Sequence, residues 1–241
     1  MDDLAFTSML SVDGAACARY YRMQPIADVM GVWTGLPYVF GASSAGWDAA
    51  LRRLAAQART HDAQAVIGVR LESRHLGENI HEYLAFGTAI RFTDGTDTGA
   101  QVLMSMLPMD ETVSLLESDF MPTRILCAAT YSRFPKTSFL TTRGRNIELA
   151  GATRALSGTR RAVRDAIQHR ATKLGCFGVV GMYFESDVGD APYNDYELQV
   201  NTWGFAQGVN RVVRGRNAPR TIDLTPTPVV SLADGDRKDA P

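Results

Sequence analysis

Four side chains able to hold a cation crowd one short stretch of this chain: Glu72, His75, His81 and Glu82. Carboxylates and imidazoles bind divalent metals when several of them converge within about 2 to 2.6 Å of one ion. Convergence here depends on how the flanking apolar runs, Ala65–Leu71 and Tyr83–Ile90, pair as strands. A two-residue turn at Gly77-Glu78 places Glu72 opposite Tyr83, Leu71 opposite Leu84 and Val69 opposite Phe86. In that register Glu72 and His81 share one face, and His75 and Glu82 share the other. Glu72 and His81 are therefore the candidate ligands of a divalent metal, set against the plainer reading of a solvated polar turn.

Other reactive residue types are scattered. Cys17, Cys127 and Cys176 are odd in number, far apart and without a histidine nearby, which fits reduced thiols packed in apolar surroundings. Ser43-Ser44 precede an apolar-periodic run and are expected to cap a helix. Gly41 to Gly46 lacks the lysine of a phosphate-binding loop and the spacing of a dinucleotide fingerprint. His61 and His169 fall near predicted helix ends. Trp33, Tyr38 and Phe40 flank a Gly-Leu-Pro turn, with core packing their ordinary use and a groove lining the alternative. A catalytic set cannot be assembled from these groups, so a hydrolase-type enzyme would need an active site shared between subunits.

Positioning these residues requires elements, and the elements repeat. Ala50, Leu51, Leu54, Ala55 and Ala58 form one helical stripe, and Leu156, Val163, Ile167, Ala171 and Leu174 form a second. An offset of 113 carries Ala50, Leu54 and Ala58 onto Val163, Ile167 and Ala171, and Val66-Ile67-Gly68-Val69 onto Val179-Val180-Gly181-Met182. It also carries Glu72 onto Glu185, an acidic position kept in both copies. An offset of 117 then takes Phe86-Gly87 onto Trp203-Gly204, which implies four residues gained in the second turn. Upstream, Met23-Gln24-Pro25 matches Phe120-Met121-Pro122 at an offset of 97. Each copy reads as strand, helix, strand, strand, so the expected fold class is α+β: two tandem βαββ units, each an antiparallel sheet with one long helix. The expected division is 1–98, 99–214 and a Pro-containing flexible tail over 215–241. Gly68 and Gly87, repeated as Gly181 and Gly204, mark expected close approaches of helix or backbone.

Composition narrows the class of partner. The 241-residue chain carries a net charge of −1 and is 45% hydrophobic, as soluble globular proteins are. Between Arg133 and Lys173 ten Lys or Arg face only Glu148 and Asp165, so this segment holds +8 and the remainder −9. Nucleic acid is not the expected partner. A neighbouring subunit with acidic surface is, and Arg160, Arg161 and Arg164 are the candidate partner-binding residues. No run approaches the roughly eighteen apolar residues of a membrane span, and Met1-Asp2-Asp3 lacks a basic leader, so the expected address is the cytoplasm. In the tail, Val229-Val230-Ser231-Leu232 could dock on a protein partner or simply end the chain.

Ala58, Ala63, the run Ala65-Val66-Ile67-Gly68-Val69-Arg70 and the closing Phe86-Gly87-Thr88-Ala89 together resemble the YbjQ-like family, small proteins labelled putative heavy-metal-binding. Gly31-Val32-Trp33-Thr34-Gly35 resembles that family's glycine-flanked strand before the helix. The second copy keeps Val179-Val180-Gly181 and Gly204 but departs at Phe205. The resemblance implies a dodecin/YbjQ-like βαββ fold, a homo-oligomeric ring, commonly pentameric, and a metal role. The resulting expectation is a non-enzymatic cytoplasmic binding or scaffold oligomer. A weak metal-binding protein is the alternative, and the interface hydrolase a second one.

Overall fold

The computed structural model describes residues 10–35, 44–77, 80–93, 98, 101–136, 150–191 and 194–211. The expected tail over 215–241, Ser43, Tyr38 and Phe40 lie outside the described residues. The chain runs α1 (Val12–Tyr20), β1 (Met23–Gly35), α2 (Ala45–Thr60), β2 (Ala65–Gly77), β3 (Ile80–Phe92), β4 (Leu103–Met104), α3 (Met109–Glu117), β5 (Phe120–Pro135), α4 (Ala150–Lys173), β6 (Gly178–Ala191) and β7 (Asn194–Arg211). Two sheets result, in the orders β1-β3-β2-β4 and β5-β7-β6. All pairings are antiparallel except the two-residue parallel contact of β4 with β2.

Helical periodicity places α2 and α4 on their sheets. All five residues of the first stripe are buried. The second stripe runs at strict four-residue spacing through Ala155, Thr159, Val163, Ile167 and Ala171. Leu156 is only half-buried, and Leu174 lies past the helix and is 39% exposed. Leu174 therefore does not belong to the stripe, because the helix ends one residue before it. α4 covers one face of the second sheet through Leu126, Ala128 and Ala206. The other face, with Ile125, Cys127 and Phe205, joins the core of α2 and the first sheet, where Trp47 meets Tyr83 and Phe205 edge-on. The far face of the first sheet is covered by α1 and α3 around Ile67 and Ile90.

Strand pairing corrects the expected register. Glu72 pairs with Leu84, Leu71 with Ala85 and Arg70 with Phe86, one residue from the expected pattern. Two irregularities frame the shifted stretch: a bulge at Gly68-Val69, where Gly68 adopts φ +63°, a conformation that favours glycine, and a second between His75 and Gly77, which pairs with Ile80. An extra residue flips the strand, so Val66 and Val69 both face α2 whereas Ile67 faces the other core. The same bulge recurs at Gly181-Met182, with Gly181 at φ +60°.

Short of the hairpin turn, the antiparallel pairings of the first sheet recur in the second once the last strand is offset by 119. Pro25 pairs with Ile90 and Pro122 with Val209; Ile67 pairs with Thr88 and Val180 with Gln207. The true counterparts of Phe86 and Thr88 are thus Phe205 and Gln207, and the second hairpin is six residues longer, not four. A slip of two residues keeps every side chain on its face, so alternation could not detect the error. The glycines move accordingly. The pair Gly31–Ala85 becomes Ala128–Gly204, so one glycine of each pair admits the helix: a Cβ on Gly31 would strike the Ala50 carbonyl, and one on Gly204 would strike Val163.

The repeat also begins earlier than expected. An offset of 97 superimposes α1 on α3 end to end, and Leu10 and Leu107, just before them, each lie nearest the bulge glycine of their own unit, Gly68 and Gly181.

Candidate functional site

The first hairpin is the richest cluster of metal-ligating types, and its geometry follows from the bulge. The shifted register sets His75 directly opposite His81 and Arg74 opposite Glu82. The His75 Nδ1 and His81 Nε2 atoms lie 3.1 Å apart, with the rings edge-on at 4.8 Å. His81 also stacks over Tyr83 at 6.3 Å. Burial, then the neighbouring His75, lowers the His81 pKa below its ordinary value. Glu72 points to the other face, where Arg74 donates to it at 3.1 Å. The expected partnership of Glu72 with His81 is therefore replaced by His75 with His81, because the one-residue shift between the two irregularities exchanges the faces. Among the described residues no three His, Cys, Asp or Glu side chains converge as a metal-binding group.

In the second unit Val188 pairs with Val200 at the positions of His75 and His81, so the histidine pair is confined to the first. Glu185 does keep the place of Glu72, facing Trp203, and partial shielding of its carboxyl from water raises its pKa.

The remaining candidates have structural partners or stand exposed. Ser44 occupies the N-cap of α2 without a side-chain cap bond, contrary to its expected role. His61 ends α2 with its N–H on the Ala58 carbonyl. Trp33 packs on Tyr83 as a half-buried core residue. The three thiols are unbridged, with Cys127 and Cys176 buried and Cys17 half-buried. Burial pushes all three up in pKa, which leaves them poorly nucleophilic. Arg160, Arg161 and Arg164 stand exposed on α4, with Arg164 on its neighbour Asp165 at 3.1 Å.

Two joint-forming residues were not legible as such. Arg170 of α4 donates to Asp48 of α2 at 2.6 Å and to the Cys127 carbonyl at 2.7 Å. Gln207, fully buried, donates to the carbonyls of Met104 and Arg124 and accepts from the Met106 N–H at 3.0 Å. It fastens the segment between the units to the second sheet. A glutamine inside an apolar strand was the available signal, since a buried amide must find partners.

Two bulged βαββ units, each introduced by a short helix, define a tandem α+β protein. Residues 43–93 match the model of a family described as "Putative heavy-metal-binding". Over 207 residues the chain is 30% identical to a Mycobacterium tuberculosis (strain ATCC 25618 / H37Rv) protein named "Encapsulin nanocompartment protein Rv1762c", covering 75% of this chain and 78% of that protein. The chain belongs to the YbjQ-like family. No described helix is long and apolar enough to cross a membrane.

Proposed function

We propose that this chain is a non-enzymatic, cytoplasmic, homo-oligomeric scaffold or binding protein that works as a component of an encapsulin nanocompartment. The observation that carries the reading is the 207-residue match to a protein of that name, which is long enough to involve both units. A relationship of that span concerns the whole fold rather than one grafted site. The working division remains 1–98, 99–214 and 215–241, with the tail's Val229-Val230-Ser231-Leu232 as the segment that docks on a protein partner. The exposed Arg160, Arg161 and Arg164 then serve subunit contacts, where charge sets register and apolar surface supplies most of the association energy. A ring of five is the expected closed form. Co-expression with an encapsulin tests this: the full chain should co-sediment with the compartments and a chain ending at Arg214 should not. Equal recovery of both forms in the soluble fraction would sink it.

One observation favours metal binding as a second reading. The 3.1 Å His75–His81 separation is close to the roughly 3.3 Å between two imidazole nitrogens on a tetrahedral zinc ion with about 2.0–2.1 Å bonds. Both rings would hold the metal through neutral nitrogens, and further ligands would be water or a second copy. Titration with zinc alone should show binding that His75→Ala abolishes and Glu72→Gln leaves intact. No binding at millimolar zinc would exclude the site.

A further inference from the structure

The two units differ sharply at one edge. In the first sheet the outer edge of β2 is covered by the segment around β4: the Leu103 N–H donates to the Gln64 carbonyl at 3.0 Å, the Ser105 N–H to Val66 at 2.9 Å, and the Val69 N–H to Ser105 at 2.8 Å. Under that cover Val66, Ile67 and Val69 are at most 4% exposed. In the second sheet, β6 is the edge strand with no such partner among the described residues. Its matching residues Val179, Val180 and Met182 stay half-exposed, Phe177 beside them is 39% exposed, and no residue from Gly178 to Asp190 is buried. An unpaired strand edge with apolar side chains is a template for another strand.

The chain contains a second copy of the segment that would fit. Leu103-Met104-Ser105-Met106-Leu107-Pro108-Met109-Asp110 recurs at the offset of 97 as Phe6-Thr7-Ser8-Met9-Leu10-Ser11-Val12-Asp13, with Ser, Met, Leu and Asp identical. This is the offset that superimposes α1 on α3 and Leu10 on Leu107. Leu103 to Ser105 introduce the second unit yet cover the edge of the unit before it. The segment of matching sequence ahead of the first unit is residues 6–8.

We propose that residues 6–8 of one copy add in parallel to the outer edge of β6 in a second copy, making the chain a head-to-tail strand-exchanging oligomer. The offsets specify the bonds. The Phe6 N–H donates to the Phe177 carbonyl, the Ser8 N–H to Val179, and the Met182 N–H to Ser8. Thr7 then stands beside Val179, as Met104 stands beside Val66. Each copy offers one donor segment and one acceptor edge, so the contact is heterologous and closes only as a ring. The proposal rests on the self-association proposed above and adds the strand that carries it.

Disulfide trapping tests the arrangement in the full chain with Cys17→Ala. Thr7→Cys on one chain and Val179→Cys on another, brought together by co-expression, should form a two-chain disulfide on mild oxidation, because paired strand positions lie within bridging distance. Ser8→Pro, which removes the N–H facing Val179, should lower the native mass, whereas Ser8→Ala should not. Unchanged circular dichroism would verify that Ser8→Pro still folds. A crosslink confined to single chains carrying both cysteines would mean that each chain covers its own edge, and overturns the exchange. An oligomer that neither crosslinks nor responds to Ser8→Pro leaves self-association standing and removes this strand from it. A native chain that is monomeric defeats both.

Discussion

Arg170 reaches from α4 to Asp48 on α2 at 2.6 Å and so ties the helix of one unit to the helix of the other. The guanidinium also bonds the Cys127 carbonyl, on the outer edge of β5. In the first unit the corresponding residue is Gln57, which accepts from the Met30 N–H on the outer edge of β1. Both helices thus blunt the edge of their first strand with the side chain at this position, and α2 adds Arg53, which donates to the Val32 carbonyl. Asp48 and Arg170 are 23% and 34% exposed, so the pair is partly shielded from solvent. Arg170→Ala should cost about 1.5–3 kcal/mol, the range of hydrogen bonds to charged groups. Gln57→Ala, which removes a neutral bond, should cost about 0.5–1.5 kcal/mol. Denaturant unfolding of both variants checks the order.

Gln207→Leu removes a buried amide that four backbone groups use, among them Met104, Met106 and Arg124. A buried group left without its partner costs about 1–3 kcal/mol, so the variant should lose at least about 2 kcal/mol. Because two of those groups lie between the units, hydrogen exchange should quicken around Met104 to Met106 before the sheet cores are affected.

Leu54 and Ile167 occupy the same place in the two repeats, and neither is exposed at all. Truncation of either to Ala should cost about 2–5 kcal/mol. Calorimetry of each variant should show its own unit melting earlier. Equal loss throughout the chain in both would mean that the units fold as a single cooperative body.

The pH dependence of stability should include His81. Its folded pKa lies below the ordinary 6.5 because burial and then His75 oppose the charge. Between the folded value and 6.5 the unfolded chain binds more protons, so stability rises with pH there and is lost on acidification. Thermal unfolding at pH 7.5 and 5.5 should show this loss. His75→Gln, which removes the repelling charge, should make the loss smaller.

The sequence made the helices legible because a period of 3.6 is written by several residues at once. Ala50, Leu54 and Ala58 recur as Val163, Ile167 and Ala171, and all six are buried. Strand register is written far more thinly. Phe86-Gly87 resembles both Trp203-Gly204 and, at the true offset, Phe205-Ala206, and the two alignments put the same faces inward. The bulge at Gly68 was hidden because a glycine in a strand signals either a close approach or a positive φ, and only the backbone angle, here +63°, separates the two. Together with the irregularity between His75 and Gly77, that bulge sets His75 opposite His81 and separates His81 from Glu72, so the site was legible as a cluster but not as a pair.

The native mass of the full chain, measured by light scattering at tens of micromolar protein in about 0.15 M salt, tests the scaffold reading most directly. A closed assembly should give a single species at a whole multiple of 26.3 kDa, with five copies the expected count. A species that stays at 26.3 kDa would contradict the reading, because no oligomer would then exist to act as a scaffold.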